Sequence, residues 1–464
     1  MNLILFICLF TNQLIQIYIT YILDGSDAQA SQLLGQLDSA FLFAYAAAMF
    51  VSGFVAERVN LRYFLAFGML FSGTFSYLFG IAKTYNIHDL WYFIIVQGLA
   101  GIVQTTGWPG VVTVVGNWFG KSKRGLIFGI WNSHTSIGNI LGSLVAGAYV
   151  EYDWSLSFII PGLIMGVAGF IIFLFLVAHP SDVGCISPNN TDRKKYKRLK
   201  DQTTGGDTSP TSNSETEETE SLIEEQEVQR RISERSYLLP NNQSRYGQQA
   251  IGFFGALKIP GVVEFSFSLF FAKLVSYTFL YWLPLYVHAS TTMGAALSAD
   301  LSTLFDVGGI AGAIAAGFLS DCTNMPAATC AVMLILAIPG MFVYQHFGTI
   351  HIGLNVVLLI IVGFLVNGPY ALITTSVSAE LGTHSSLEGN SKALATVTAI
   401  IDGTGSIGAA VGPLLAGYVQ SQYSWHSVFI MLMLSDVFAL VLLLRLVRRE
   451  LSWLRQRRRE ERIE

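Results

Sequence analysis

Lys273 stands in the middle of an apolar run, SLFFAKLVSYTFLYWLPLY (268–286), and it is the only Lys or Arg well inside any such run. A lysine at the centre of a membrane helix disfavours insertion by about 2.5–3.5 kcal/mol on translocon scales. It therefore calls for water, a counter-charge or an anionic ligand. Tyr277 and Tyr281 follow at i+4 and i+8, on the same helical face. One cation beside two phenol donors suits an anionic, hydroxyl-bearing solute. The competing role is a structural pair with Asp306 or Asp402, the acids inside later runs; both hold if the pair opens when an anion binds. His134 is the second candidate, in GIWNSHTSIGN (129–139) with Asn132, Ser133 and Thr135 around it. Burying that many polar groups in a membrane core has a cost unless they face water, a partner or a ligand. A histidine there can donate to a phosphate oxygen or carry a proton. Gln104, Thr105 and Thr106 precede Trp108-Pro109, and Asn367, Pro369, Tyr370, Thr374 and Thr375 share a later run. These polar groups could read sugar hydroxyls or tie helices together, and the prolines free carbonyls and bend their helices.

The elements that must hold these residues are membrane helices. Of 464 residues, 52% are hydrophobic and only 12% charged, about half the usual charged share of roughly 25%. Mean hydropathy is +0.52, and a soluble chain of this length could not cover its surface with so few charges. A span needs about 20 mostly apolar residues. Candidate spans fall at 1–23, 36–56, 63–82, 90–116, 125–150, 154–178, 262–288, 296–318, 327–347, 354–379, 393–419 and 425–446. The first is marginal, with Thr11, Asn12, Gln13 and Gln16 in its middle. The 44 glycines fit closely packed membrane helices. No Walker loop, HExxH, nucleophile elbow or CxxC occurs. The sequence thus predicts a transporter rather than an enzyme, with no metal site, no cofactor and no nucleic-acid partner; the lipid bilayer is an expected partner, and no protein partner is identified.

Charge placement sets the orientation. Of 27 Lys and Arg, Lys83 alone falls in a far-side loop and Lys273 alone lies within a span; the rest share one side if every span crosses. By the positive-inside rule that side is cytosolic. The expected division is an atypical first span and luminal loop (1–31), a helix bundle (32–179), a disordered cytosolic linker (180–253), a second bundle (254–447) and a basic, helical cytosolic tail (448–464). The linker carries TTGGDTSPTSNSETEETE (203–220) and few aromatics, a composition of disorder. It also holds two acidic dileucine-like strings, Glu218 to Ile223 and Glu234 to Leu239, and sequons at Asn189 and Asn242 that a cytosolic linker leaves unused.

The two bundles repeat one another. SIGNILGSLVAG (136–147) aligns with SIGAAVGPLLAG (406–417), Trp154 and Phe158 with Trp425 and Phe429, and GFVAER (53–58) with GFLSDC (317–322). Parallel six-helix repeats are the architecture of the major facilitator superfamily. Gly53, Glu57, Arg58 and Arg62 follow the second span, and Gly317 and Asp321 echo them after the eighth. The glycine admits a neighbouring helix, the acid can cap or pair across the halves, and the arginines are expected to hold a cytosolic gate; positive-inside anchoring is the plainer alternative. Gly125, Gly129, Gly138 and Gly142, and Gly408 and Gly412, are expected to serve packing.

VQTTGWPGVVTVVGNWFGKSKRG (103–125), GIWNSHTSIGNILGS (129–143), FFGALKIPGVVEFSFSLFFAKLVSYTFLYWLPLY (253–286), DLSTLFDVGGI (300–310), NGPYALITT (367–375) and ATVTAIIDGTGSIGAAVGPLLAG (395–417) resemble the sugar-phosphate exchangers of the organophosphate:phosphate antiporters, related to the glucose-6-phosphate transporters. The resemblance covers about 32–185 and 250–450. It implies exchange of a sugar phosphate for inorganic phosphate in the endoplasmic reticulum membrane. It also implies phosphate contacts from basic residues of helices 1 and 7 and a histidine of helix 5. Lys273 matches the helix 7 position and His134 the helix 5 one; the family's basic pair in helix 1 has no counterpart in 2–23. Tyr277, Tyr281, Asn132, Gln104 and Asn367 are expected at the sugar end. The alternatives are a proton-driven carrier of another sugar or organic anion, using Asp306, Asp402 or His134, and a transport-dead membrane scaffold.

Overall fold

The computed structural model describes residues 27–119, 124–150, 153–185, 251–291, 295–383 and 393–460. The candidate span 1–23, most of the linker, Lys121 and Lys123 lie outside the described residues. The chain folds as α1 (Asp27–Ala56), α2 (Leu61–Ile81), α3 (Leu90–Gln104), α4 (Gly107–Trp118), α5 (Arg124–Val150), α6 (Leu156–Phe175), α7 (Phe253–Leu257), α8 (Val262–Ser290), α9 (Ala295–Thr323), α10 (Pro326–Phe347), α11 (Ile352–Leu372), α12 (Ser378–Leu381), α13 (Leu394–Gln422) and α14 (Trp425–Glu460). Among the described residues, ten helical segments are long and apolar enough to cross a membrane. This is a multi-span membrane protein, all-helical among the described residues.

Several boundaries differ from the sequence reading, each for a local reason. The fourth span is two helices, α3 and α4, meeting at Thr105 and Thr106. Their hydroxyls donate to the carbonyls of Ile102 and Val103, side-chain bonds that compete with the backbone ladder ahead of Pro109. The tenth span is α11, a π turn (Ile373–Val377) and α12. Pro369 cannot donate, and Ser378 and Thr375 hydroxyls take up carbonyls through this stretch. The last helix, α14, runs unbroken from Trp425 to Glu460, through most of the stretch expected as a helical tail.

Packing repeats between the halves. Glycine removes the Cβ that would keep two backbones apart. A Cβ on Gly53 of α1 would meet the Ala395 carbonyl oxygen of α13 at 2.6 Å, and one on Gly125 of α5 would meet Asp321 Oδ1 of α9 at 2.7 Å. So α1 packs on α13 and α5 on α9, two crossings that relate one half to the other. Gly408 and Gly412 of α13 lie against the Phe270 and Leu274 backbone of α8. This close seat brings Asp402 of α13 to the flank of α8 that carries Lys273. On the opposite face, Lys83 Nζ bridges to Asp153 at 2.7 Å and joins the end of α2 to the start of α6. Burial works against ionising Asp153, but hydrogen bonds from Lys83 and Ser155 outweigh it and hold that carboxyl below its ordinary value.

Candidate functional site

Lys273 is buried, 4% exposed, and its Nζ lies 2.7 Å from Asp402 Oδ1 and 3.3 Å from Ser406 Oγ. Gly405, one turn along α13, leaves the space through which the lysine stem passes: a Cβ there would stand 3.0 Å from Lys273 Cδ. Thr374 in the π turn donates its hydroxyl to the same Asp402 oxygen at 2.8 Å. The second oxygen, Oδ2, is buried with no hydrogen-bond partner. Of the two acids open as partners in the sequence, Asp402 is therefore the one that pairs with Lys273. The rings of Tyr277 and Tyr370 lie 5.9 and 5.7 Å from Nζ, within the range at which an aromatic face attracts a cation.

Next to this pair, α5, α8, α9 and α11 enclose a cavity of about 40 Å³ lined by Asn132, Ser276, Tyr277, Asp306, Asn367 and Tyr370, among others. That volume accepts a few water molecules and is smaller than a sugar phosphate. Ser276 donates to Asn367 Oδ1, and Gly309 gives the Asn367 amide its room, since a Cβ there would meet Nδ2 at 2.5 Å.

The remaining candidates stand apart from the cavity wall. His134 packs against Trp131, ring centroids 4.5 Å apart, and Trp108, 6.5 Å. Its Nδ1 bonds the Trp131 carbonyl, and its Nε2 is buried with no hydrogen-bond partner. Gln104 is buried at the α3–α4 break, 6% exposed. Tyr281 packs beside Tyr277, 6.4 Å between centroids, next to Phe41 and Ala410. Trp108 links the two groups: its Nε1 donates to the Thr374 carbonyl at 3.2 Å. A residue of α4 in the first half thus holds the π turn whose side chain holds Asp402.

The loop motif and its echo act as reciprocal helix caps. Glu57 Oε1 accepts the Ala395 amide at 2.6 Å, at the start of α13. Asp321 accepts the Gly125 and Leu126 amides at 2.8 and 2.7 Å, at the start of α5. Each half places a carboxylate on the positive end of the other half's helix, where unpaired amides and the dipole favour an anion. The arginines do something else. Arg58 stacks on Phe54 and donates to the Phe54 carbonyl of its own helix. Arg62 bonds the Leu176 carbonyl of its own half. Among the described residues, the loop cation that crosses is Arg124, 4% exposed, which donates to the Ala379 carbonyl and to Thr383 Oγ1, both at 3.1 Å. Sequence reasoning counted Arg124 only as a loop charge, and nothing local marks it as buried. Ser276 and Ser406 were also missed, although they follow Lys273 by three and Asp402 by four, positions that share a helical face.

These caps give a direct contrast. Asp321→Ala removes two charge-assisted bonds, each worth about 1.5–3 kcal/mol, and is expected to lower the closed-gate population at least tenfold. Arg58→Ala is expected to change exchange less than twofold. Labelling of Ala313→Cys, normally hidden under Gly129, reads the gate in both variants.

Comparison with known proteins then fixes the lineage. The Major Facilitator Superfamily profile matches residues 1–387. A glucose-6-phosphate exchanger of Bos taurus is 56% identical over 423 residues, 91% of this chain and 82% of that one. A second glucose-6-phosphate exchanger, of Homo sapiens, is 50% identical over 433 residues, 91% and 79%. The chain belongs to the sugar-phosphate exchanger family of the major facilitator superfamily. Solved folds agree with that placement. The human organic anion transporter MFSD10 (TETRAN) superposes with a TM-score of 0.63, covering 95% of this chain and 98% of its own at 13% identity. FucP in its outward conformation gives 0.61 over 95% and 96%, also at 13%. At that identity the likeness concerns fold alone, and the chemistry of the family member rests on its own residues.

Proposed function

We propose that this protein exchanges a sugar phosphate for inorganic phosphate by alternating access. The observation that carries the reading is the buried Lys273–Asp402 pair beside a hydroxyl- and amide-lined cavity between the halves. Support comes from relatives 50–57% identical that are named glucose-6-phosphate exchangers. With no solute, Asp402 holds Lys273, and return between the faces is fast only with phosphate or a phosphate ester bound. An arriving phosphate competes for Nζ, and Asn132, Ser276, Tyr277, Asn367 and Tyr370 offer donors and acceptors to the sugar. His134 Nε2, buried and unpaired, is a second phosphate contact once the α4–α5 packing shifts. Among the described residues, Lys273 is the cation that meets the phosphate in this proposal.

The caps at Glu57 and Asp321 form on one face and release when the halves rock. That face is the cytosolic one in this proposal, with the linker and tail beside it. The proposed location is the endoplasmic reticulum membrane, on the family resemblance. The dileucine-like strings make an endolysosomal membrane the alternative. Asp306 in the cavity lining favours the one rival reading, a proton-driven carrier of another solute. Uptake of labelled glucose 6-phosphate into proteoliposomes tests the proposal: uptake is expected only when the vesicles hold phosphate or a phosphate ester.

A further inference from the structure

The 36 residues of α14 span about 54 Å at 1.5 Å per residue, against a hydrocarbon core of about 30 Å. The apolar part ends near Arg445, and the remainder of the helix leaves the membrane. Its two faces differ. Leu443 is fully buried, and Leu446, Val447, Glu450 and Leu454 are at least partly covered. Glu450 fixes this face by accepting the Ala327 and Ala328 amides at the start of α10, both at 2.9 Å. At about 100° per residue, Arg445, Arg448, Arg449, Arg455 and Arg459 fall within an arc of about 120° on the opposite face. All five are exposed. Exposed Leu451 and Trp453, 38% and 47%, flank the arc. Only Arg445 of the five has an ion-pair partner among the described residues, Glu264 at 3.0 Å.

From this arrangement we infer that the arginine stripe of α14 is a binding surface for anionic phospholipid headgroups in the adjoining leaflet. Arg448 and Arg449 stand about 5 Å beyond Arg445 along the helix, at headgroup depth, and Arg455 and Arg459 about 15 and 21 Å beyond it. The lower arginines reach the glycerol phosphodiester, and the upper ones reach a phosphate carried outward on the headgroup. The stripe holds arginine and no lysine, and a guanidinium takes phosphate oxygens in pairs. Its position at the end of a membrane span favours a lipid over a protein partner. The flanking Trp453 and Leu451 add apolar contact of the kind found at bilayer interfaces.

Native mass spectrometry of the full chain in detergent tests this, with phosphatidylinositol 4-phosphate, phosphatidylserine, phosphatidylcholine and soluble inositol 1,4-bisphosphate as probes. Binding is expected in the order given for the three lipids, with at least tenfold between the first and phosphatidylcholine, and it weakens as salt rises. Arg448→Gln, Arg449→Gln and Arg455→Gln together are expected to lower the anionic-lipid affinity about a hundredfold. The matching triple change to Lys keeps the charge and most of the binding, which separates loss of the surface from loss of the fold. Equal binding by the Gln variant, or no preference over phosphatidylcholine, overturns the inference. So does binding of the soluble headgroup as tightly as the lipid, which marks a free-phosphate site. Displacement by an acidic peptide of residues 214–227 without lipid preference also overturns it and assigns the stripe to protein.

Discussion

Lys273→Ala is expected to lower exchange at least tenfold, and adding Asp402→Asn is expected to restore the fold without restoring transport. The single change leaves Asp402 as an unpaired carboxylate, 2% exposed, and breaking a buried pair this way costs about 3–5 kcal/mol. Low protein yield would therefore say nothing about substrate. The double change removes both charges, which is often neutral to stability, while Thr374 and Ser406 still have a polar partner. If Lys273 serves only to satisfy Asp402, the double variant transports at the parent rate, and that result would remove the lysine from phosphate binding. Asp402→Asn alone gives the complement. It frees Nζ from its competitor, so the phosphate concentration for half-saturation is expected to fall. Rates and half-saturation in proteoliposomes, normalised to monodisperse protein, read all three variants.

Gly317→Val is expected to reduce exchange at least tenfold by a different route. A Cβ at Gly317 would fall on the Gly125 backbone, 2.6 Å from its carbonyl carbon. Backbone cannot yield as a flexible side chain does, and such overpacking costs about 1–3 kcal/mol. The cost falls only where α5 and α9 touch, in the arrangement that lets Asp321 reach Gly125 and Leu126. The opposite-facing state is spared, so the population shifts rather than the fold failing. Ala313→Cys, 2% exposed at position 313 in the closed gate, is expected to label rapidly in the Gly317→Val background. Slow labelling with normal exchange would show that the gate does not depend on this contact.

Much of the architecture is legible in the sequence because membrane constraints are strong. Apolar length marks the spans, and the echo of GFVAER in GFLSDC points to paired loops that the structure turns into reciprocal caps. Lys273 is conspicuous because a lone cation in an apolar run is costly. Other features depend on helix rotation and depth, which composition does not encode. The choice of Asp402 over Asp306 follows from the seat of α13 on α8, set by Gly408 and Gly412. His134 reads as a cavity residue from its polar neighbours, yet its ring turns to Trp108 and Trp131 while Asn132 and Thr135 line the cavity. The break at Thr105 and the π turn at Ile373–Val377 go with hydroxyls bonding carbonyls three and four residues back, a local choice that apolar periodicity hides. Arg58 and Arg62 look like gate residues by position. In the structure their side chains bond carbonyls of their own half.

The central claim is coupling of a sugar phosphate to phosphate in the opposite direction. Its most direct measurement is two-label counterflow in proteoliposomes, with one label on internal phosphate and another on external glucose 6-phosphate, at equal pH on both sides. The expected result is efflux of phosphate that begins with sugar-phosphate entry and stops when external substrate is withdrawn, in wild-type protein and not in the Lys273→Ala, Asp402→Asn double variant. Entry that ignores internal phosphate and instead follows an imposed pH gradient would contradict the account.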